Sequence, residues 1–202
     1  AMDMHAPYIQ STLLHVPAAD EKIVFDRFHI AQLLNQALDQ VRRMENRELR
    51  AEGDTSLVGT RYDWLRHPAH FTRVAARAFE ALRERVHRMA RAWEFKETAM
   101  AIFDLKAAWA ARRNFETWFQ SAIRSRIEPI KRVARTLRRY WDQIENYFRH
   151  RVTNAGAEAI NTKIQQVKRR ARGFRSRERF REAIYFHCGG LDLYPSGAAI
   201  TP

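Results

Sequence analysis

Along most of the chain, apolar residues return every three or four positions, as they do on helices with one buried face. Phe71, Val74, Ala78, Leu82, Val86, Met89 and Trp93 predict one long apolar face, and Ile102, Leu105 and Trp109 resume it after a break. Residues 115–127 predict a further helix stopped by Pro129. Ile130, Val133, Leu137, Trp141, Ile144 and Phe148 predict another, and most tryptophans are assigned to the core. Residues 31–51 read as a charged helix, followed by a loop over 53–62. The period changes only near the start. Residues 1–4 and the β-branched run KIVFD, 22–26, read as short strands, with a helix over 6–15 and a loop over 17–20 between them. Two strand ends closed by Asp3 and Asp26, with a helix between, read as part of a parallel α/β sheet. Ligands collect at the carboxyl ends of such strands.

The stretch from Val152 to Phe186 has a different organisation. Ile160, Ile164, Val167 and Ala171 form a stripe that predicts one buried face. Glu158, Asn161, Gln165, Lys168 and Arg172 run down another face, from a single carboxylate to cations. Thr153 or Asn154 is the expected N-cap, and Gly173 sits where a C′ glycine belongs. From Lys163 to Arg181 there are nine Lys/Arg residues and one acid, Glu178. A carboxylate at the start of a helix with a basic flank suits a metal held beside a phosphodiester. It suits equally a solvated helix on a nucleic-acid binder.

Charge extends that reading to the whole chain. With 36 Lys/Arg against 23 Asp/Glu, the formal net charge is +13, which favours a polyanionic partner. Nucleic acid comes first, an acidic membrane surface second. The one cysteine, Cys188, rules out a disulfide framework and a cysteine-based zinc site, and is most simply a small buried residue. No apolar run approaches the ~18 residues of a membrane span, and no signal peptide is expected. The chain opens as though inside a strand and is expected to be a fragment. Gly189 and Gly190 read as a C-cap and turn rather than a phosphate cradle.

The run TNAGAEAINTKIQQVKRRARGFRSRERFREAIYFHCGGLDLYP resembles the C-terminal end of bacterial insertion-sequence transposases. The group is the one with a zinc ribbon and helix-turn-helix ahead of a DDE catalytic core. AMDMHAPYI, KIVFDRFHI, GTRYDWLRHP, ARAWEFKE and SRIEPIKRVART resemble the same family in the same order. The resemblance implies a mainly α protein with a small α/β part, a truncated ribonuclease H-like core interrupted by a large helical insertion. Residues 1–30 would be the partial core, 31–150 the insertion, and 151–202 the core helices bearing the last acid.

The resemblance also implies that Asp3 is the second catalytic aspartate and Glu158 the closing glutamate, both ligands of Mg²⁺ or Mn²⁺. Ala159 stands where the family usually has glycine. Asp26, His29 and Asn161 are expected beside the ligands rather than on the metal. Lys163, Lys168, Arg169, Arg170, Arg172 and Arg175 are expected to contact phosphates, which positions DNA without reading sequence. The first aspartate, the zinc ribbon and the helix-turn-helix would lie upstream, so the chain alone is expected to be inactive. The full-length protein would be a cytoplasmic, nucleoid-associated homo-oligomer acting on element ends and target DNA, with no membrane partner. Two Mg²⁺ ions about 3.5–4 Å apart can clamp the attacking and leaving oxygens of a phosphodiester, and hard carboxylate oxygens suit that ion. The alternative is a non-catalytic helical nucleic-acid-binding protein whose acids only cap helices; an inactive remnant of a transposase is a third reading.

Overall fold

The computed structural model describes residues 2, 4–152 and 155–190, and the chain divides into two compact units, Ala1–Val152 and Thr153–Pro202. The described residues are mostly helical, and their one β feature is an isolated parallel bridge between Met2 and Phe25, with the Met2 N–H donating to the Val24 carbonyl at 2.9 Å. The expected strand over 22–26 is therefore reduced to that bridge. Its first residue, Lys22, closes a short helix instead.

In the first unit the helices are α1 (Ala6–His15), α2 (Ala19–Lys22), α3 (Arg27–Ala51), α4 (Arg61–Leu65), α5 (Arg73–Arg85), α6 (His87–Ile102), α7 (Ala108–Arg124), α8 (Glu128–Arg139) and α9 (Trp141–His150). α3 begins earlier than the pattern predicts because Asp26 caps it: one carboxylate oxygen accepts the Phe28 N–H at 2.9 Å. Ile30, Leu34, Ala37, Leu38 and Val41 turn its apolar face to α6 and α8. Around that pairing α5 packs on α6, α7 on α6 and α8, and α9 on α7 and α2.

The long apolar faces expected from spacing are divided in two places. Val86, with φ −118° and ψ 77°, separates α5 from α6, and Tyr140 separates α8 from α9. Pro129 does not end α7 but lies in the first turn of α8, where its missing N–H costs nothing. Within α5 it is Phe79, not Val74, that enters the core; Val74 is 80% exposed. Phe79 packs against the rings of Trp64, Phe71 and Trp93. Trp109, placed on the apolar face by its spacing, is also exposed, whereas Trp64, Trp93, Trp118 and Trp141 are buried. Trp141 stacks on Phe115 at 3.7 Å with nearly parallel planes and so joins α9 to α7. Beside it, Arg112 donates to both carboxylate oxygens of Glu145, at 2.8 and 2.9 Å, and holds that carboxyl below its ordinary value despite burial.

α9 also fixes the chain that leads to Asp26. The buried Asn146 side-chain amide donates to the carbonyls of Asp20 at 2.7 Å and Ile23 at 2.9 Å. The His150 ring Nε2 lies 3.1 Å from the Glu21 carbonyl.

The second unit contains α10 (Ala155–Arg170) and α11 (Arg177–Cys188), packed on each other. Among the described residues, no helix is long and apolar enough to cross a membrane.

Replacing Asn146 by Ala leaves two carbonyls without their donor and is expected to cost about 2–3 kcal/mol. Urea unfolding followed by tryptophan fluorescence would measure it, because all five tryptophans belong to the first unit.

Candidate nucleic-acid interface

α10 carries the acid and the cations that the sequence singles out. Glu158 lies in its first turn, where a carboxylate meets the positive end of the helix dipole. Asn161, Thr162, Gln165, Gln166 and Arg169 continue the same face and form a shallow groove with it. Glu158 is exposed. Its hard oxygens are the donor type that Mg²⁺ prefers. Lys168, Arg169 and Arg170 close the helix at its negative end, where cations are favoured.

Lys163 and Arg170 project along a second groove of about 350 Å³, whose other wall includes Phe174 and His187. Lys163, Lys168, Arg169, Arg170, Arg172 and Arg175 are all exposed. The turn between the helices uses two left-handed residues, Arg172 at φ 53° and Gly173 at φ 104°, and the Gly173 N–H donates to the Lys168 carbonyl at 3.2 Å. Gly173 thus closes the helix as expected. The buried stripe does not form: Ile160 is 51% exposed, Ala171 is exposed, and Ile164 and Val167 are half-buried. Cys188 is half-buried rather than buried.

The remaining predicted residues are divided between the units. Asp26 is buried at the start of α3, and His29, one turn later, is half-buried with its ring edge-on to Phe28. Asp26 does not simply close a strand, since its carboxylate is the cap of α3. Asp3, Thr153 and Asn154 lie outside the described residues. Among the described residues, no three His, Cys, Asp or Glu side chains cluster as a metal site.

Sequence spacing passed over the charged residue that organises the polar side of α3. Asp39 is nearly buried and accepts from Arg42 at 2.9 and 3.0 Å and from Arg43 at 2.9 Å, while Arg61 of α4 stands 3.5 Å away. Burial alone would raise its carboxyl pKa; the hydrogen bonds and charges of Arg42 and Arg43 outweigh this and hold it below 3.8. The signal in the sequence is an acid followed at three and four positions by arginines, a pattern usually solvated. Here it lies beside the core.

Because that pKa is depressed on folding, the stability contributed by Asp39 is present above its ordinary value and is lost as pH falls through the folded one. Asp39→Asn is expected to cost about 1–2 kcal/mol at neutral pH. The difference from the parent should shrink as the pH is lowered below 3.8. Chemical unfolding across that range would measure both.

Comparison with known proteins places these residues in a longer context. The family described as Transposase, DDE_Tnp_ISL3, matches residues 1–184. The chain is 28% identical over 184 residues to the transposase for insertion sequence element IS1001 of Bordetella parapertussis, a match covering 89% of this chain and 45% of that protein. It is 25% identical over 174 residues to the transposase for insertion sequence element IS1557 of Mycobacterium tuberculosis, covering 75% of this chain and 39% of that protein. The chain thus spans less than half the length of either relative. No solved structure matches it significantly.

Proposed function

The chain belongs to this transposase family, and from that premise we propose that it supplies part of an enzyme that cuts and joins DNA at insertion-sequence ends. The observation that carries the reading is the family match across both units, together with α10, whose exposed carboxylate opens a helix that ends in three cations. In this reading residues 1–30 and 151–202 belong to a ribonuclease H-like core, and 31–150 form a helical insertion. The parallel bridge at Phe25 supports it, since it is the pairing expected of two adjacent strands in such a core.

Asp3 and Glu158 are the proposed metal ligands. Divalent metal, Mg²⁺ or Mn²⁺, would supply charge stabilisation for the attacking oxygen and the leaving 3′-oxygen. Glu158 presents hard oxygens from a helix, which holds them more rigidly than a loop would. Asp26, fixed by its capping bond to Phe28, and His29 beside it would support the site from α3, and Asn161 would do so from the face of Glu158. The exposed cations from Lys163 to Arg175 would hold phosphates and set the register of the DNA. Because an element has two ends, the full-length protein would work as a homo-oligomer.

Two predictions test the reading. The chain should bind duplex DNA with a steep salt dependence. Combining Lys168→Ala, Arg169→Ala and Arg170→Ala should reduce the slope of log K against log salt by about 2–3. An unchanged slope would remove α10 from the interface. With two of the family's three carboxylates, the isolated chain should bind supercoiled plasmid without nicking it. Mg²⁺-dependent nicking that disappears in Glu158→Ala would overturn that expectation and at the same time establish Glu158 as catalytic.

A further inference from the structure

A second surface, within the first unit, has a different chemistry from that of α10. Along the polar side of α3 runs an open groove of about 530 Å³, walled by α4. Phe28, Gln32, Gln36, Gln40 and Arg43 come from α3, and Arg61 from α4. From Phe28 to Arg43 the helix rises roughly 22 Å, room for several nucleotides.

The lining is biased towards neutral amides and cations. Its one acid is Asp39, whose oxygens already face Arg42, Arg43 and Arg61. The arginines are thus held at the groove while the acid adds little free negative charge. Arg132 of α8 donates to Gln40 at 2.8 Å and connects the groove to a helix with five cations and one acid, Glu128. At the other end Phe28 is 62% exposed. Beyond Arg61, whose guanidinium lies 5.8 Å from the Tyr62 ring centroid, that tyrosine is 70% exposed.

Such a combination discriminates between forms of nucleic acid. In a duplex the base faces are covered by their neighbours, so a projecting ring finds nothing to stack on, and amides reach only the groove edges, not the paired Watson–Crick edges. An unpaired strand offers both, and aromatic stacking with a cationic track is the usual way of holding one. We propose that the groove along α3 and α4 holds an unpaired stretch of DNA. One base stacks on Phe28, base edges meet the glutamine amides, and Arg43 and Arg61 take phosphates. The inference rests on the reading that DNA is this chain's partner, but it concerns a different surface and a different form of DNA.

The test is fluorescence anisotropy of the full chain with a labelled single-stranded oligonucleotide and, separately, the corresponding duplex. Phe28→Ala should weaken single-strand binding about 5- to 150-fold, while Phe28→Tyr, which keeps the ring, should stay close to the parent. Gln36→Ala, at an exposed position, should weaken it by a smaller factor. Duplex binding should be unaffected by all three. Unchanged single-strand affinity in Phe28→Ala, or equal losses in the Ala and Tyr variants, would overturn the proposal. So would a parallel loss of duplex binding. If the α10 cation variants still flatten the duplex salt dependence in that event, the transposase reading stands and only the groove assignment fails. If the unaltered chain binds neither probe, both fail together.

Discussion

The burial of one face of α3 against α6 and α8 is the constraint on which the first unit depends. A helix of 25 residues presents more surface than any single neighbour can cover. α6 and α8 take its apolar side, and α7 and α5 are then needed to cover those two in turn. What remains of α3 is its polar side, open along the groove beside α4. Leu34, Leu38 and Ile30, each fully buried, are worth roughly 1.5–3 kcal/mol apiece. The exposed amides on the opposite side contribute nothing comparable to stability and are accordingly available for contact.

Helix content was legible because it depends on local spacing. Helix boundaries were less so, since they depend on single residues whose effect is geometric. Val86 and Tyr140 are ordinary apolar residues, yet each takes a non-helical conformation and redirects the chain. Pro129 opens a helix rather than stopping one, since a proline is equally at home in a first turn. The strand reading of KIVFD arose from β-branched composition; α2 closing at Lys22 and the cap at Asp26 leave only a three-residue run between them. The gradient from Glu158 to the cations of α10 was legible in the spacing, and the structure has that acid in the first turn and the cations exposed. The structural role of Asn146 in the first unit was not legible, because nothing in its own helix distinguishes an amide bonded to a distant carbonyl from one in water.

The two units handle charge differently. In the first, many arginines have a carboxylate: Arg112 has Asp142 and Glu145, Arg138 has Glu116, and Arg83 has Glu80 and Glu94. All of these but Arg83–Glu80, which lies within α5, cross between helices. In the second, the cations of α10 and the turn after it are exposed around one acid. The stretch from Glu158 to Arg175 thus carries +5 of the formal +13, exposed where it can act on a polyanion.

The bonds from Asn146 to Asp20 and Ile23 span more than 120 positions of sequence. A chain made from its N-terminus first exposes α1, α2 and the segment to Asp26 long before α9 exists. During that interval the carbonyls at 20 and 23 have only water as donor, and the apolar run through Phe25 lacks much of its cover. The segment leading to the α3 cap is consequently among the last parts of the unit to be completed during synthesis. A ribosome stalled before α9 would hold it unfinished.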